Sequence, residues 1–474
     1  MIRIQESKQI VEEEKKKQSK SQTSDVIVYE IFGFEDQILP FSLTIIDTPG
    51  YGNTEGIEQD VIVSQRLFDL FRSVDGVHEI DAVGLVLKAT VNRLNDRLSY
   101  IFNSVVSLFG KDVEKNLVVL MTQSAVGTTE DALEALEAAN VKCARNEKQQ
   151  PVHFLFNNCQ NKDRSQNEDR SQDDIEALEH SYKKATKGMN QFTEFLQKTA
   201  PQKLETTVDV LRERIRLTAC IQNLQERVEF IELKQNEIQQ THEGLKKHEQ
   251  EMKENEEFTK EVDEPYKDKE PIGGGMWWLI FFKGAVCCKV CEENCHFPGC
   301  TMAPNPSWCE VMKDGRCTAC TNKCPAADHV KEKWRFVTKT RKVKKTLQDV
   351  KDKYEKNKGE TEKKMSLLES LQKEMEDLEE NKTHVLDEAY EHVIKLELIA
   401  LNVVSMSTYV HLDFLIQEME KKKDTKKVQK LREMERSQTD KGFLEGGRGH
   451  ESVMYANAVR CSGFSRTSLQ EMRS

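Results

Sequence analysis

Hydrophobic and polar positions divide the chain into two regions of different rhythm. Val26–Ile31 alternates apolar and polar residues, as a half-exposed strand does, and Leu43–Asp47 is a second, more apolar strand. Ile57, Val61, Ser64, Phe68 and Phe71 recur at helical spacing and predict a helix over 55–74. Asp81–Leu87 reads as a buried strand. The segment 96–110 reads as a helix carrying Leu98, Ile101, Phe102, Val105 and Leu108, and Leu117–Thr122 as another strand. A short helix over 130–139 and a strand over Val152–Phe156 follow, and a helix over 175–198 closes the region before Pro201. Strands alternating with helices predict a parallel sheet covered on both faces.

Beyond residue 200 the period changes. Leu217, Ile221, Leu224, Val228, Ile231, Ile238, Leu245 and Met252 follow a 3-4 spacing, which predicts a coiled-coil seam of about five heptads. A second seam runs through Val343, Leu347, Val350, Tyr354, Leu368, Leu371, Met375, Leu378 and Val385. The two stretches, 204–262 and 330–388, have nearly equal lengths. They predict an antiparallel hairpin with arms of ~85–90 Å and the intervening cysteines at its tip. Parallel dimerisation of each arm is the alternative. Residues 389–418 are more apolar (Ile394, Leu398, Leu401, Leu412, Leu415) and are expected to pack on another helix or chain.

Composition limits the classes of function. Charged residues make up 32% of the 474 and hydrophobic ones 37%, so much of the length is expected to be elongated or solvated. A net charge of −11 argues against a general nucleic-acid binder. The polar, lysine-rich N-terminus does not read as a signal peptide. The apolar run Met276–Phe282 stops far short of the ~18 residues a spanning helix needs. No transmembrane segment and a cytoplasmic location are therefore expected. Trp277, Trp278, Phe281 and Phe282 form an aromatic patch suited to packing on the cysteine-rich stretch or to a partner or membrane-surface contact.

Asp47 is followed by Thr48, Pro49 and Gly50. A carboxylate at a strand end can hold hydrated Mg²⁺, and a glycine N–H three residues on can reach a terminal phosphate. An ordinary turn would give the same sequence. With the order of elements around it, this motif resembles the septin and immune-associated nucleotide-binding branch of P-loop GTPases. The resemblance covers about 20–200, well under half the chain. It implies a GTP and Mg²⁺ site using Thr23, Asp47, Gly50 and Asn157, and a switch that responds to nucleotide. Three departures stand against it. No G-x-x-x-x-G-K-[ST] occurs in the sequence; Ala125 stands where the family reads guanine with Asp; and Tyr51 replaces the water-orienting glutamine. A chain lacking the central first strand of that family is expected to be an incomplete version of a longer protein, or to have a rearranged sheet.

Nine of the 13 cysteines fall between Cys287 and Cys324. Cys288, Cys291, Cys295 and Cys300 repeat in spacing as Cys317, Cys320, Cys324 and His329. Each run offers four soft or borderline ligands, as a closed tetrahedral Zn²⁺ site requires, so two zinc ions are expected, one per run. Cys287, His296 and Cys309 are spares that could replace a member or bridge the sites. Iron–sulfur ligation and reduced structural cysteines are the alternatives, and a disulfide framework is disfavoured by the odd count.

The fold class expected is thus α/β: an incomplete GTPase-like three-layer domain, then a long helical coiled-coil region with a small zinc module. The segments are a charged terminus (1–20), a GTPase-like domain (21–200), a first arm with an aromatic linker (201–284), the cysteine module (285–330), a second arm with the apolar helix (331–436) and a disordered tail (437–474). Two functions remain open. One is a GTP-binding switch or assembly protein of the resembled type, with impaired nucleotide binding. The other is a nucleotide-independent coiled-coil and zinc scaffold for protein partners or self-association.

Overall fold

The computed structural model describes residues 26–32, 41–50, 57–91, 96–124, 129–157, 172–247, 259–272, 284–297, 305–346, 367–403 and 406–439. Thr23, Cys300, the Trp277, Trp278, Phe281 and Phe282 patch, and most of the terminal segments 1–20 and 437–474 lie outside them. The chain divides into two units. One takes the described residues up to Glu213 with Lys395–Ile416 and those from Asp424; the other takes Arg214–Ile394 and Gln417–Lys423.

In the first unit, the continuous apolar run Leu117–Thr122 (β5) lies between Val83–Lys88 (β4) and His153–Leu155 (β6) in a parallel sheet of order β4-β5-β6. Leu117, Val118, Val119 and Met121 are fully buried, as the centre of such a sheet demands. Helices α1 (Ile57–Arg72), α2 (Asp96–Val106), α3 (Glu130–Ala138) and α4 (Gln172–Lys198) alternate with the strands. Gly188 lets α4 lie against β6, because a Cβ there would sit 2.0 Å from the Leu155 carbonyl oxygen. Phe154 packs edge-on to Phe192 with ring centroids 5.1 Å apart.

The sheet departs from the expectation of two covered faces. Along β4 the residues alternate buried and exposed, and Val86 is 63% exposed. Ile27–Ile31 (β1) and Leu43–Asp47 (β2) form their own antiparallel pair, with Ile27 opposite Asp47. Glu79–Ile80 (β3) pairs with Gln202–Lys203 (β7). The apolar segment after residue 389 finds its cover within the chain: Leu396, Ala400 and Leu412 are fully buried, and the Leu401 N–H donates to the Phe109 carbonyl at 2.9 Å.

The second unit corrects the two-armed hairpin. The helix α5 (Glu205–Lys247) does not reach residue 262, because Thr259–Pro271 is a strand (β8). Likewise Trp334–Thr346 is a strand (β14), and the next described helix is α6 (Leu367–Ile399). β8 and β14 pair antiparallel along all 13 residues, a ribbon about 43 Å long at 3.3 Å per residue. Charge supports this pairing. Arg341 faces Glu264 and bonds it at 2.7 Å, and Lys339 reaches Asp268 at 2.7 Å. The ribbon runs back along α5: the Asp263 N–H donates to Gln240 at 2.9 Å, Lys345 pairs with Glu237 at 2.6 Å, and the Lys267 ammonium lies 4.9 Å from the Phe230 ring centroid. The cysteine module is thereby returned to the flank of α5 and is not at a distal tip.

α5 and α6 touch in antiparallel sense, through Arg227 to Asn381 at 2.7 Å and Gln235 to Glu379 at 3.5 Å. α5 is also more enclosed than a two-stranded seam would make it. Leu217, Ile221 and Leu224 are buried, and so are the polar Arg216, Asn223, Arg227, Glu237 and Thr241 on other faces. Two further helices, α7 (Met406–Lys421) and α8 (Thr425–Thr439), end the described chain.

Candidate metal centre

The cysteine module is built on a three-stranded antiparallel sheet of order β10-β9-β13, from Glu293–His296 (β10), Ala285–Cys288 (β9) and His329–Glu332 (β13). Strand alternation sorts the first two cysteines. Cys288 faces a buried cluster with Cys295, Cys317, Cys320 and Cys324, whereas Cys287 faces Ala285 and Phe336 on the other side. Cys287 therefore packs as a small apolar residue, its thiol donating to Asn294 Oδ1 at 3.4 Å. A short hairpin of Met312–Lys313 (β11) and Arg316–Cys317 (β12) turns through Asp314 and Gly315, both at positive φ, and delivers Cys317.

Tight turns then aim backbone N–H groups at sulfur. The Cys291 N–H donates to Cys288 Sγ at 3.3 Å. Cys317 Sγ accepts from Ala319 at 3.3 Å and from Cys320 at 3.4 Å, and Cys320 Sγ accepts from Cys324 at 3.3 Å. Such donors stabilise thiolate charge. Glu292 and Lys323 complete these turns at φ 54° and 46°, a left-handed conformation costing a non-glycine residue ~1–2 kcal/mol.

Two groups of four ligand atoms result. Cys288, Cys291, Cys320 and Cys324 form one, and Cys295, Cys317, Cys320 and His329 the other, the atoms of each lying within 4.8 Å of one another. This corrects the expectation of one site per sequence run. The runs interleave, because β9 and β13 pair side by side and bring His329 opposite Cys288. The Cys291 and Cys324 sulfur atoms are 3.7 Å apart. A tetrahedral zinc with Zn–S bonds of ~2.3 Å places its sulfurs about 3.8 Å apart.

His329 supplies a further mark of fit. Its Nδ1 lies 3.0 Å from the Pro325 carbonyl oxygen, which can only accept, so Nδ1 carries the proton. The Nε2 atom is buried without a hydrogen-bond partner and holds a lone pair on the cysteine side. Burial pushes the Cys288 thiol up to about 12 and Cys291 higher still, and hydrogen bonds from Cys295 and Cys320 push Cys317 down. So many buried sulfurs cannot ionise together without a counter-charge, which a divalent cation would provide.

Supporting residues escaped the sequence reading. Glu293 on β10 accepts the Thr321 N–H at 2.9 Å and also the Thr321 hydroxyl, fixing the loop beside Cys320. Asn223 of α5 donates to Glu293 at 3.2 Å and to the Asn294 carbonyl at 3.1 Å. Arg216 Nε reaches the Glu310 carbonyl at 2.8 Å. Only a polar residue at helical spacing on α5 could have signalled these contacts, and such residues are common on any helix. Of the spares, His296 Nδ1 and Cys309 Sγ lie 3.2 Å apart, outside both groups.

The residues assigned to nucleotide by resemblance are placed as follows. Asp47 ends β2, and Gly50 three residues on is exposed, with open space around its Cα. Asn157 is buried after β6 and donates to Ser181 Oγ at 3.1 Å, joining the strand end to α4. Among the described residues, no helix is long and apolar enough to cross a membrane. No known protein family matches this chain, and no curated protein matches its sequence.

Proposed function

We propose that the chain is a protein scaffold whose long helix α5 is braced by a zinc-bound cysteine module. The observation that carries this reading is the convergence of the two interleaved ligand groups, with His329 Nε2 left as a buried lone pair. Three thiolates with an imidazole, and four thiolates, are donor sets that suit structural Zn²⁺. Bound metal would supply folding free energy to a region whose buried residues are mostly cysteine. The apolar positions of 217–238 are already covered within the chain, so a partner protein would take another surface. A compartment that keeps thiols reduced, such as the cytoplasm, suits the centre. Elemental analysis of the purified full chain should find zinc that survives gel filtration, and chelation should expose the module's cysteines to alkylation. Metal-free protein with every module cysteine freely alkylated would end the reading.

A second reading is a GTP-binding switch of the septin and immune-associated type, favoured by the Asp47–Gly50 segment at the end of β2 and the strands and helices that alternate after it. Without a lysine-bearing phosphate loop among its 474 residues, the chain should bind GTP and Mg²⁺ weakly. Submicromolar titration by a non-hydrolysable GTP analogue would favour the switch over the scaffold.

A further inference from the structure

We propose that the two ligand groups form a single binuclear centre in which the Cys320 thiolate bridges two zinc ions. This rests on the zinc reading above and adds to it a shared ligand. Two four-coordinate ions need eight ligand positions, and the two groups contain seven residues. Cys320 is the one residue that belongs to both. Its sulfur is fully buried and accepts the Cys324 N–H at 3.3 Å. A thiolate has three lone pairs, so one can take that hydrogen bond while two point to metal. Cys317 already takes two N–H donors on its sulfur and is less free to bridge.

Among the described residues, the neighbouring donors do not offer an eighth ligand. Cys287 faces the opposite side of β9, and Cys309 is engaged with His296. Charge favours sharing as well. Six thiolates around two Zn²⁺ leave a net charge of about −2, whereas a seventh thiolate would leave about −3 in a buried site, where charge is costly. The bonds that hold Cys320 in place come from both sides: Glu293 grips the next residue, Thr321, from β10, and Lys323 is tied to Glu388 of α6 at 2.7 Å.

The test uses the full chain reconstituted with ¹¹³Cd, a tetrahedral thiolate-binding substitute for zinc with a nuclear spin. Two cadmium ions per chain are expected, giving two resonances that split each other through the shared sulfur. Cys309→Ser should keep both ions and the splitting, whereas Cys320→Ser should lose at least one ion. Because Cys320→Ser could fail to fold, the splitting in the unmodified chain decides. One ion per chain, or two resonances without mutual splitting, would overturn the bridge and leave the zinc scaffold standing. A chain that takes up no metal would overturn both.

Discussion

The sulfur atoms of Cys291 and Cys324 lie 3.7 Å apart although 33 residues separate them in sequence. The distance matches two ligands of one tetrahedral ion and pairs a cysteine of the first run with one of the second. Cys291→Ser and Cys324→Ser should therefore weaken the same metal equivalent, and the double variant should lose little more than either alone. Cys291→Ser combined with Cys295→Ser should instead damage both positions. Zinc content and competition with a chromophoric chelator measure this. Additive losses for Cys291 and Cys324 would argue for sites built from separate runs.

Glu293 links the Thr321 loop of the module to α5, where Asn223 donates to it and the Arg227 guanidinium lies 3.9 Å away. Glu293→Gln keeps the shape but weakens the charge-assisted bonds to Thr321. Metal affinity should fall by about 10–100-fold, the usual cost of losing a supporting partner. Stability of the metal-loaded chain should fall by about 1–3 kcal/mol. Unchanged zinc competition would show that the Thr321 loop is held by the metal alone.

The sequence made some of this plain and hid the rest for physical reasons. β5 was legible because a strand buried on both faces must be a continuous apolar run, as Leu117–Met121 is. The ribbon was not. Val262 and Val343 face each other across it, but the surrounding residues are Lys, Arg, Glu and Asp, whose cross-strand pairing stands in for an apolar face. Val343 also sits at heptad spacing from later residues, so the period pointed to helix. The eight expected metal ligands were chosen by spacing, and spacing cannot say which run closes on which. The pairing is set by the β9–β13 register, which places His329 opposite Cys288. The enclosure of α5 was equally hidden, because Arg216, Asn223 and Arg227 look like solvated helix residues until the module covers them.

The ribbon's path along α5 makes a crosslinking prediction. Lys345 lies 2.6 Å from Glu237, and Lys382 lies 3.8 Å from Glu232. A zero-length carbodiimide crosslinker should join both pairs within single chains. In a mixture of isotopically heavy and light protein, these crosslinked peptides should be all-heavy or all-light. Mixed species would mean that the α5 contacts are made between chains, as parallel or swapped arms would require.

His411 of α7 gives the first unit a calculable response to acid. The ring is 1% exposed, and neither nitrogen has a hydrogen-bond partner. Burial pushes its pKa from 6.5 down to about 4, because the charged imidazolium would lose its hydration without gaining a partner. The unfolded chain therefore binds more protons than the folded one between those values. Stability from this residue is fully present above pH 6.5 and declines as the pH falls towards 4. At ~1.4 kcal/mol per pH unit, the full loss is about 3 kcal/mol. Glu226 in the second unit, pushed up to about 7 by burial, acts in the opposite sense between pH 4.5 and 7. Acid also strips zinc from thiolates. The informative quantity is thus the difference between the wild type and His411→Leu, which removes the titration and the two unpartnered nitrogens. The variant should be more stable at pH 7 by about 1–3 kcal/mol. Its advantage should widen as the pH falls from 6.5 to 5, read from urea midpoints at each pH. A constant difference across that range would show that the imidazole is charged in the folded chain or reaches water.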